Sequence, residues 1–170
     1  MRKIAIVGGN IITPFQVFKE GIIVVENNRI SSVGEKKEIP LPTGAEIITA
    51  NEKYVVPGFI DLHVHGGGGF DTMDGSYEAL QKIAAFHARF GTTALLPTTV
   101  TDSSQRIIHS LKAIDESIQR GTGSGEILGA HLEGPYISRQ YRGAHRETAI
   151  REPSLAELIK FTGNGNNIIR

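Results

Sequence analysis

Cysteine is absent from the 170 residues, and neither sign of charge dominates, since 18 lysines and arginines balance 18 aspartates and glutamates. Without cysteine the chain has no disulfide and no thiolate ligand, so a bound metal would need histidine and carboxylate ligands. Without a basic block, nucleic acid and anionic membrane surfaces are poor partners. No apolar run is long enough to cross a bilayer, and the run after Lys3 breaks at Gly8, too early for a signal peptide. These absences predict a cytoplasmic protein that engages neither nucleic acid nor membranes.

Residues 1–56 have the pattern of a small β domain. Short β-prone segments alternate with turn residues, and Asn27 and Asn28 suit a tight turn because asparagine tolerates positive φ. Strands at this spacing predict a small β-sandwich or an open barrel. The segment is too small to bury much apolar surface by itself, so we expect it to pack on something else. The predicted strands are residues 4–7, which Gly8 would end, and residues 21–26, 30–34, 45–50 and 54–56.

Residues 57–170 have a different pattern, in which strands alternate with helices. Ser76 and Ser103 are suitable N-caps, and Gly91 and Gly121 are suitable helix ends. The alternation predicts an α/β fold with parallel strands, either the first three units of a (β/α)8 TIM-like barrel or a doubly wound sheet. No glycine-rich phosphate signature follows the first strand, which favours the barrel. The predicted strands are residues 55–64, 92–96, 127–133 and, after a turn at 163–166, 167–170; the predicted helices are residues 76–91, 101–121 and one that starts near Pro153.

Each predicted helix carries an apolar stripe at helical spacing. His87 lies inside the first stripe, which indicates a histidine at the edge of the core, and His109 lies off the second stripe, which indicates a solvated side chain. The three stripes consist of Leu80, Ile83, Ala84, His87 and Phe90; of Ile107, Leu111, Ile114 and Ile118; and of Leu155, Leu158 and Ile159.

Two histidines stand at the end of the first apolar strand of this second region. His63 and His65 are two residues apart, so on a strand both imidazoles point to the same face. Four glycines follow, which would end the strand and leave open space beside the rings. The strand itself is apolar enough to be buried on both faces. Such a pair suits a divalent metal, although two histidines hydrogen-bonded at a polar strand end would give the same spacing.

A carboxylate stands in the corresponding place at the end of the third strand. His131 and Glu133 are again two apart, and in a barrel the ends of strands one and three both lie at the carboxyl-terminal rim. His63, His65 and Glu133 would then form a ligand set known for catalytic zinc and for iron. A Glu133 paired to a lysine or arginine is the alternative. His131 lies one layer deeper, so we expect it to have a structural role or to support the ligand carboxylate.

The motifs around these residues resemble a known family. Residues 56–66, VPGFIDLHVHG, resemble the first-strand signature of the amidohydrolase superfamily, and residues 131–136, HLEGPY, followed by Gly143-Ala144-His145, are similar to its N-acetylglucosamine-6-phosphate deacetylases. The resemblance implies that Glu133 is a metal ligand, and that His63 and His65 serve a second metal position that some members lack. It also implies sugar contacts by Ala144 and His145, one or two divalent ions, a homodimer, and a β-sandwich completed by the far C-terminus. Arg146-Glu147 departs from the Asp/Asn-Pro that is often found there.

The implied reaction hydrolyses the N-acetyl group of N-acetylglucosamine 6-phosphate to glucosamine 6-phosphate and acetate. A barrel of eight units takes about 250 residues, whereas roughly 110 follow Pro57. We therefore expect an N-terminal portion that is inactive alone and contains no catalytic residue; the remaining metal histidines, the catalytic aspartate and the phosphate-binding groups would follow Arg170. The alternatives are an amidohydrolase that acts on a cyclic amide or an N-acyl amino acid, and a truncated, non-enzymatic product that acts in binding or assembly.

Overall fold

The computed structural model describes residues 2–163 and 168–170, and it divides into two compact units, Met1–Pro57 and Gly58–Arg170. The fold is α/β. The first unit contains β1 (Lys3–Ile12), β2 (Val17–Glu26), β3 (Arg29–Glu35), β4 (Glu46–Thr49) and β5 (Tyr54–Val55). The second contains β6 (Phe59–Val64), β7 (Gly66–Gly67), β8 (Phe70–Asp71), α1 (Tyr77–Ala88), β9 (Thr92–Pro97), α2 (Ser104–Arg120), β10 (Glu126–Ile127) and α3 (Leu155–Thr162), with short 3₁₀ helices at Thr72–Asp74 and Glu147–Ala149.

The first unit is built on one five-stranded sheet of order β3-β2-β1-β4, with β5 also paired to β1. The chain turns between β2 and β3 at Asn27 and Asn28, whose φ values of 51° and 64° confirm the predicted turn. Among the described residues of this unit the strands form a single sheet, so the two-layer sandwich is not seen. The predicted end of β1 at Gly8 is wrong: β1 continues to Ile12, and the register shifts near the glycines show that they bend the strand without ending it.

The second unit is built on three parallel strands in the order β10-β9-β6, with α1 and α2 as the connections. The predicted N-caps of both helices are confirmed, because the Ser76 hydroxyl accepts from the Ala79 amide and the Ser103 hydroxyl accepts from the Arg106 amide. Each fully buried large aliphatic side chain contributes about 1.5–3 kcal/mol to stability. The core includes Leu80 and Ile83 of α1, Leu95 of β9, and Ile107, Leu111 and Ile114 of α2.

The third strand is shorter than the sequence predicts. Regular pairing of β10 stops at Ile127, which pairs with Leu95, and resumes as a bridge between His131 and Thr98. The chain advances four residues from Ile127 to His131, whereas the neighbouring strand advances three from Leu95 to Thr98. One extra residue on one strand is the geometry of a β-bulge. Beyond the bulge the His131 amide still donates to the Pro97 carbonyl, so the end of the strand keeps its place beside β9.

Several apolar side chains of the second unit are exposed in the described residues, on β6, on α3 and after α1. Phe59, Ile60 and Leu62 are about 60% exposed because β6 is an edge strand, whereas the sequence predicted burial on both faces. The predicted apolar stripe of α3 lies outward, since Leu155, Leu158 and Ile159 are all exposed and Phe161 is the buried residue. The orientation of α3 follows from Glu157 on its inner surface. The Glu157 carboxylate binds Arg151 and Tyr136, as described below. Phe90, predicted in the α1 stripe, lies beyond the end of the helix and is also exposed.

The last predicted strand is only partly described. Residues 164–167, which include most of the predicted turn at 163–166, lie outside the described residues. Ile169 forms a parallel bridge to Ala130. None of the helices in residues 2–163 has both the length and the apolar character that crossing a bilayer requires.

Candidate metal centre

The three predicted ligands lie together at the carboxyl ends of neighbouring parallel strands. Val64 at the end of β6 pairs with Pro97 at the end of β9, and His131 pairs with Thr98 immediately after it. This shared edge brings His63 and His65 next to Glu133. The two histidine Nε2 atoms are 3.1 Å apart, and Glu133 Oε2 lies 3.0 Å from that of His63 and 2.9 Å from that of His65.

The hydrogen bond at the far side of the His65 ring determines which nitrogen is free. His65 Nδ1 lies 3.2 Å from the Thr98 carbonyl oxygen, which can only accept, so Nδ1 carries the hydrogen. Nε2 then has a lone pair directed at the cluster. Metal-binding histidines commonly have this arrangement, in which the outer ring nitrogen is held by a carbonyl or carboxylate.

Glu133 provides the second test of whether a cation fits. Its Oε2 is buried and accepts no hydrogen bond from the described residues, although two imidazole nitrogens lie within 3.0 Å. A buried polar atom without a hydrogen bond is unfavourable unless something else satisfies it. Tetrahedral ligands at zinc distances are about 3.3 Å apart, close to the spacing observed here. The described residues therefore contain one compact group that can hold a divalent metal, formed by His63, His65 and Glu133.

His145 satisfies the other oxygen of the same carboxylate. The Thr101 amide donates to His145 Nδ1 at 3.2 Å, so His145 Nε2 carries the hydrogen and donates to Glu133 Oε1 at 3.0 Å. Burial opposes ionisation of Glu133, but the hydrogen bond from His145, together with the fields of His145, His63 and His65, outweighs it and holds the pKa of Glu133 below its usual value. The carboxylate is thus kept in the form that binds a cation.

The remaining histidines lie outside the cluster. His131 Nδ1 donates to the Leu62 carbonyl at 2.8 Å, and its ring packs against that of His63 with centroids 4.4 Å apart. His87 is half-buried on α1 and donates to the Gly66 carbonyl at 3.0 Å, and His109 is exposed. His87 at the edge of the core and His109 in solvent are both as the sequence predicts.

The four glycines after His65 form a tight hairpin. Gly66 pairs with Asp71 and Gly67 with Phe70, while Gly68 and Gly69 turn the chain with φ values of 62° and 89°. Open space lies beside the His65 ring, as predicted, but the hairpin itself is closely packed, since a Cβ on Gly67 would lie 2.7 Å from His87 Nε2. The glycines are needed because a helix packs directly on this backbone.

Ala144 and His145 line two cavities that also reach His65. One has a volume of 220 Å³ and the other 350 Å³. The smaller is also lined by Val100, Thr101, Asp102 and Arg146, and the larger by Glu133, Ile137, Tyr141, Arg142 and Gly143. Either lies close enough to the cluster for a bound molecule to approach the metal group.

Sequence reasoning missed Thr98 and Thr101, which orient the His65 and His145 rings through their backbone carbonyl and amide. The available signal was the Thr98-Thr99-Val100-Thr101 run at the end of the second strand of the unit. Residues that follow a parallel strand at the same edge as candidate ligands are placed to contact them.

A parallel α/β sheet with two histidines and a glutamate at its carboxyl edge is the arrangement of ligands typical of metal-dependent hydrolases. The chain belongs to the amidohydrolase family, whose model matches residues 54–167.

Relatives and solved structures of known activity are similar to the chain over most of its length. It is 38% identical over 129 residues to N-acetylgalactosamine-6-phosphate deacetylase of Escherichia coli O157:H7, covering 76% of this chain and 34% of that protein. It is 37% identical over 156 residues to N-acetylglucosamine-6-phosphate deacetylase of Bacillus subtilis strain 168, covering 88% and 38%. A mutant N-acetyl-D-glucosamine-6-phosphate deacetylase of Mycobacterium smegmatis, solved with N-acetyl-D-glucosamine-6-phosphate, superposes with a TM-score of 0.88 at 25% identity, covering 100% of this chain and 42% of that one. The chain thus spans a little over a third of the length of the curated relatives it matches.

Proposed function

We propose that the chain is the N-terminal portion of a metal-dependent deacetylase that hydrolyses N-acetylglucosamine 6-phosphate to glucosamine 6-phosphate and acetate, in amino-sugar catabolism. The single observation that carries the proposal is Glu133 Oε2, which is buried without a hydrogen bond and is approached by two imidazole nitrogens. The curated relatives, which carry deacetylase names, support the choice of reaction.

Glu133, His63 and His65 would hold the metal, which is zinc or iron in our proposal, as one or two ions. A divalent ion bound by such ligands lowers the pKa of a water molecule towards neutrality and polarises an amide carbonyl. Glu133 supplies the negative charge, which its low pKa maintains. The Thr98 carbonyl holds the hydrogen of the neutral His65 ring on Nδ1, so the Nε2 lone pair faces the cluster, where a cation would bind.

His145 and Ala144 would contact the sugar, since both line the cavities beside the cluster. The His145 Nε2–H is a donor of fixed direction, and only 12% of the side chain is exposed. No catalytic base is assigned among the described residues, and the phosphate-binding groups are also proposed to lie outside this chain. We propose that the isolated chain is inactive for this reason, because proton transfer by a positioned group is commonly worth about 10²–10⁴ in rate.

The proposed whole protein is a cytoplasmic homodimer with a (β/α)8 barrel. The three parallel strands β6, β9 and β10 would be its first three, and the exposed Phe59, Ile60 and Leu62 on β6 support a further neighbour at that edge. The sheet of the first unit would be one layer of a β-sandwich, because Ile47 and Ile48 on β4 are exposed at 55% and 45%.

The C4 epimer of the substrate is a second candidate. The relative that is 38% identical to this chain is named N-acetylgalactosamine-6-phosphate deacetylase, against 37% for the relative named for the glucosamine compound. The metal ligands and the N-acetyl chemistry would be the same for both sugars, so only the substrate assay separates them.

The test joins residues 1–170 in frame to the remaining part of the Bacillus subtilis relative and measures acetate release from the two sugar phosphates, a cyclic amide and an N-acyl amino acid. We expect metal-dependent release from one sugar phosphate, and none after Glu133→Gln. Glu116→Gln, an exposed position on α2, is the matched control. Release only from the cyclic amide or the N-acyl amino acid would replace the proposed substrate. No turnover in a folded chimera that binds zinc would support a non-enzymatic product. Turnover by residues 1–170 alone would overturn the proposed inactivity.

A further inference from the structure

We infer that the ion pair between Arg151 and Glu157 is a positioning device, which holds His145 against Glu133 through the backbone at the start of α2. This inference rests on the proposed function only in taking Glu133 as a metal ligand.

The Arg151 guanidinium makes hydrogen bonds to four different residues. It donates to both carboxylate oxygens of Glu157, from Nε at 3.1 and 3.0 Å and from Nη2 at 2.8 Å. Its Nη1 donates to the carbonyl oxygens of Asp102 and Ala149, each at 2.9 Å, and its Nη2 donates to the Ser104 hydroxyl at 3.3 Å. The same side chain therefore binds α3, the start of α2 and the segment that carries His145.

The contact with Asp102 leads directly to the metal group. The Asp102 carbonyl belongs to the peptide that joins Asp102 to Ser103, and Asp102 directly follows Thr101, whose amide donates to His145 Nδ1. That hydrogen bond fixes the tautomer of His145 and leaves the Nε2 hydrogen for Glu133 Oε1. Displacement of Asp102 would therefore shift the amide that determines which nitrogen of His145 carries the hydrogen.

Glu157 also holds the other end of the same segment. The Tyr136 hydroxyl, three residues after Glu133, donates to Glu157 Oε2 at 2.6 Å. The segment from Tyr136 to Arg151, which contains His145 and begins three residues after Glu133, is thus bound at both ends to a single carboxylate on α3. The side-chain exposures of 14% for Glu157 and 30% for Arg151 leave limited access for water to replace these bonds.

Arginine is required at position 151 because its hydrogen bonds to Glu157, Asp102 and Ala149 point in different directions. A planar guanidinium can donate to a carboxylate and to two carbonyl groups at once, whereas an ammonium group on a flexible stem has no fixed fork. Arg151→Lys therefore keeps the positive charge but loses the fixed arrangement of hydrogen-bond donors.

The test uses the full chain with nitrogen-15 in its histidines. Wild type is expected to show His145 with Nδ1 unprotonated and Nε2 protonated. In Arg151→Lys we expect a mixture of tautomers at His145 and about tenfold weaker zinc binding, since the partners that orient metal ligands are typically worth 10–100-fold in affinity. Arg120→Lys alters a similar ion pair, with Glu116 on α2, and is expected to change neither signal.

A merely structural role would lower the melting temperature and leave the His145 tautomer intact, and that result would overturn the inference. Should Arg151→Lys fail to fold, Glu157→Gln decides, because it removes the negative charge of the ion pair and keeps a polar side chain of the same length. A partial shift of the His145 signals supports the inference, and unchanged signals overturn it. If wild type binds no zinc while the tautomer responds to Arg151→Lys, the proposed function fails and the positioning role stands.

Discussion

His145 Nε2 donates to one oxygen of Glu133 at 3.0 Å and leaves the other oxygen facing His63 and His65. The carboxylate therefore has two distinct sides, one fixed by a hydrogen bond and one without any. This division makes separate predictions for the residue that would bind the metal and for the residue that orients it.

Replacement of the ligand itself is expected to abolish tight metal binding. Glu133→Gln removes the negative charge and leaves two neutral imidazoles, so we expect zinc affinity to fall by at least about 100-fold, more than for an outer partner. Equilibrium dialysis of the full chain with zinc measures the change. Glu116→Gln, which alters only an exposed pair with Arg120, should bind as wild type does. Equal affinities for the two variants would rule out Glu133 as a ligand.

Replacement of the orienting residue is expected to have a smaller effect. His145→Gln keeps a polar side chain but not the hydrogen bond with fixed direction, so zinc affinity should fall by about 10-fold and remain measurable. His109→Gln is the matched control, because His109 is exposed on α2 and away from the cluster. A loss as large as that of Glu133→Gln would instead identify His145 as a metal ligand.

The Glu157 carboxylate predicts a loss of stability in acid. Hydrogen bonds from Arg151, with others from Ser104 and Tyr136, outweigh burial and lower the pKa of Glu157 from 4.5 to about 2. The unfolded chain thus takes up this proton first as the pH falls. The stabilisation is complete above about pH 4.5 and is lost as the pH falls towards 2; after screening by water we expect about 1–2 kcal/mol.

Urea unfolding at about pH 5 and about pH 2.5 checks this prediction. Glu157→Gln should be less stable than wild type at the higher pH, and the difference should shrink at the lower one. The exposed Glu152→Gln serves as the control and should follow wild type at both. A difference between wild type and Glu157→Gln that does not depend on pH would contradict the assignment.

Two glycines in the segment after Glu133 distinguish backbone strain from lack of space. Gly134 and Gly143 have φ values of 75° and 58°, so alanine is strained at both, by about 1–2 kcal/mol. A Cβ on Gly134 would lie 2.0 Å from Thr101 Oγ1, whereas nothing lies within 4 Å at Gly143. We expect Gly134→Ala to destabilise the chain by about 1–3 kcal/mol more than Gly143→Ala, measured by urea unfolding. Equal losses would show that the contact with Thr101 relaxes without cost.

Local sequence signals were sufficient for much of the second unit. The serines that precede α1 and α2 accept the expected amides, and the strands between them are parallel. The spacing of His63 and His65 fixed their common face, and the rule that parallel strands end at one edge placed Glu133 nearby. The metal-binding and sugar-binding roles of these residues remain predictions.

The errors concern features that depend on contacts distant in sequence. The outward Leu155 and Ile159 in α3 follow from the bonds of Glu157, whose partner Ser104 is 53 residues away. Neither helical spacing nor propensity contains that information. The bulge before His131 was missed because it depends on the register with β9, and the contact of His145 with Thr101 spans 44 residues. Only the resemblance to known motifs singled out His145.

His63 lies on β6, which is an edge strand among the described residues, and His65 follows its last residue, so metal affinity at this pair would depend on how firmly β6 is held. Residues at a sheet edge are held from one side only, and fixing the backbone of one residue costs about 1–2 kcal/mol in conformational entropy. Metal binding to this pair would include the cost of holding β6 in place, which a further strand paired to its outer edge would lower. The metal affinity of this site would therefore change when another strand pairs with the outer edge of β6, without any change in the ligands themselves.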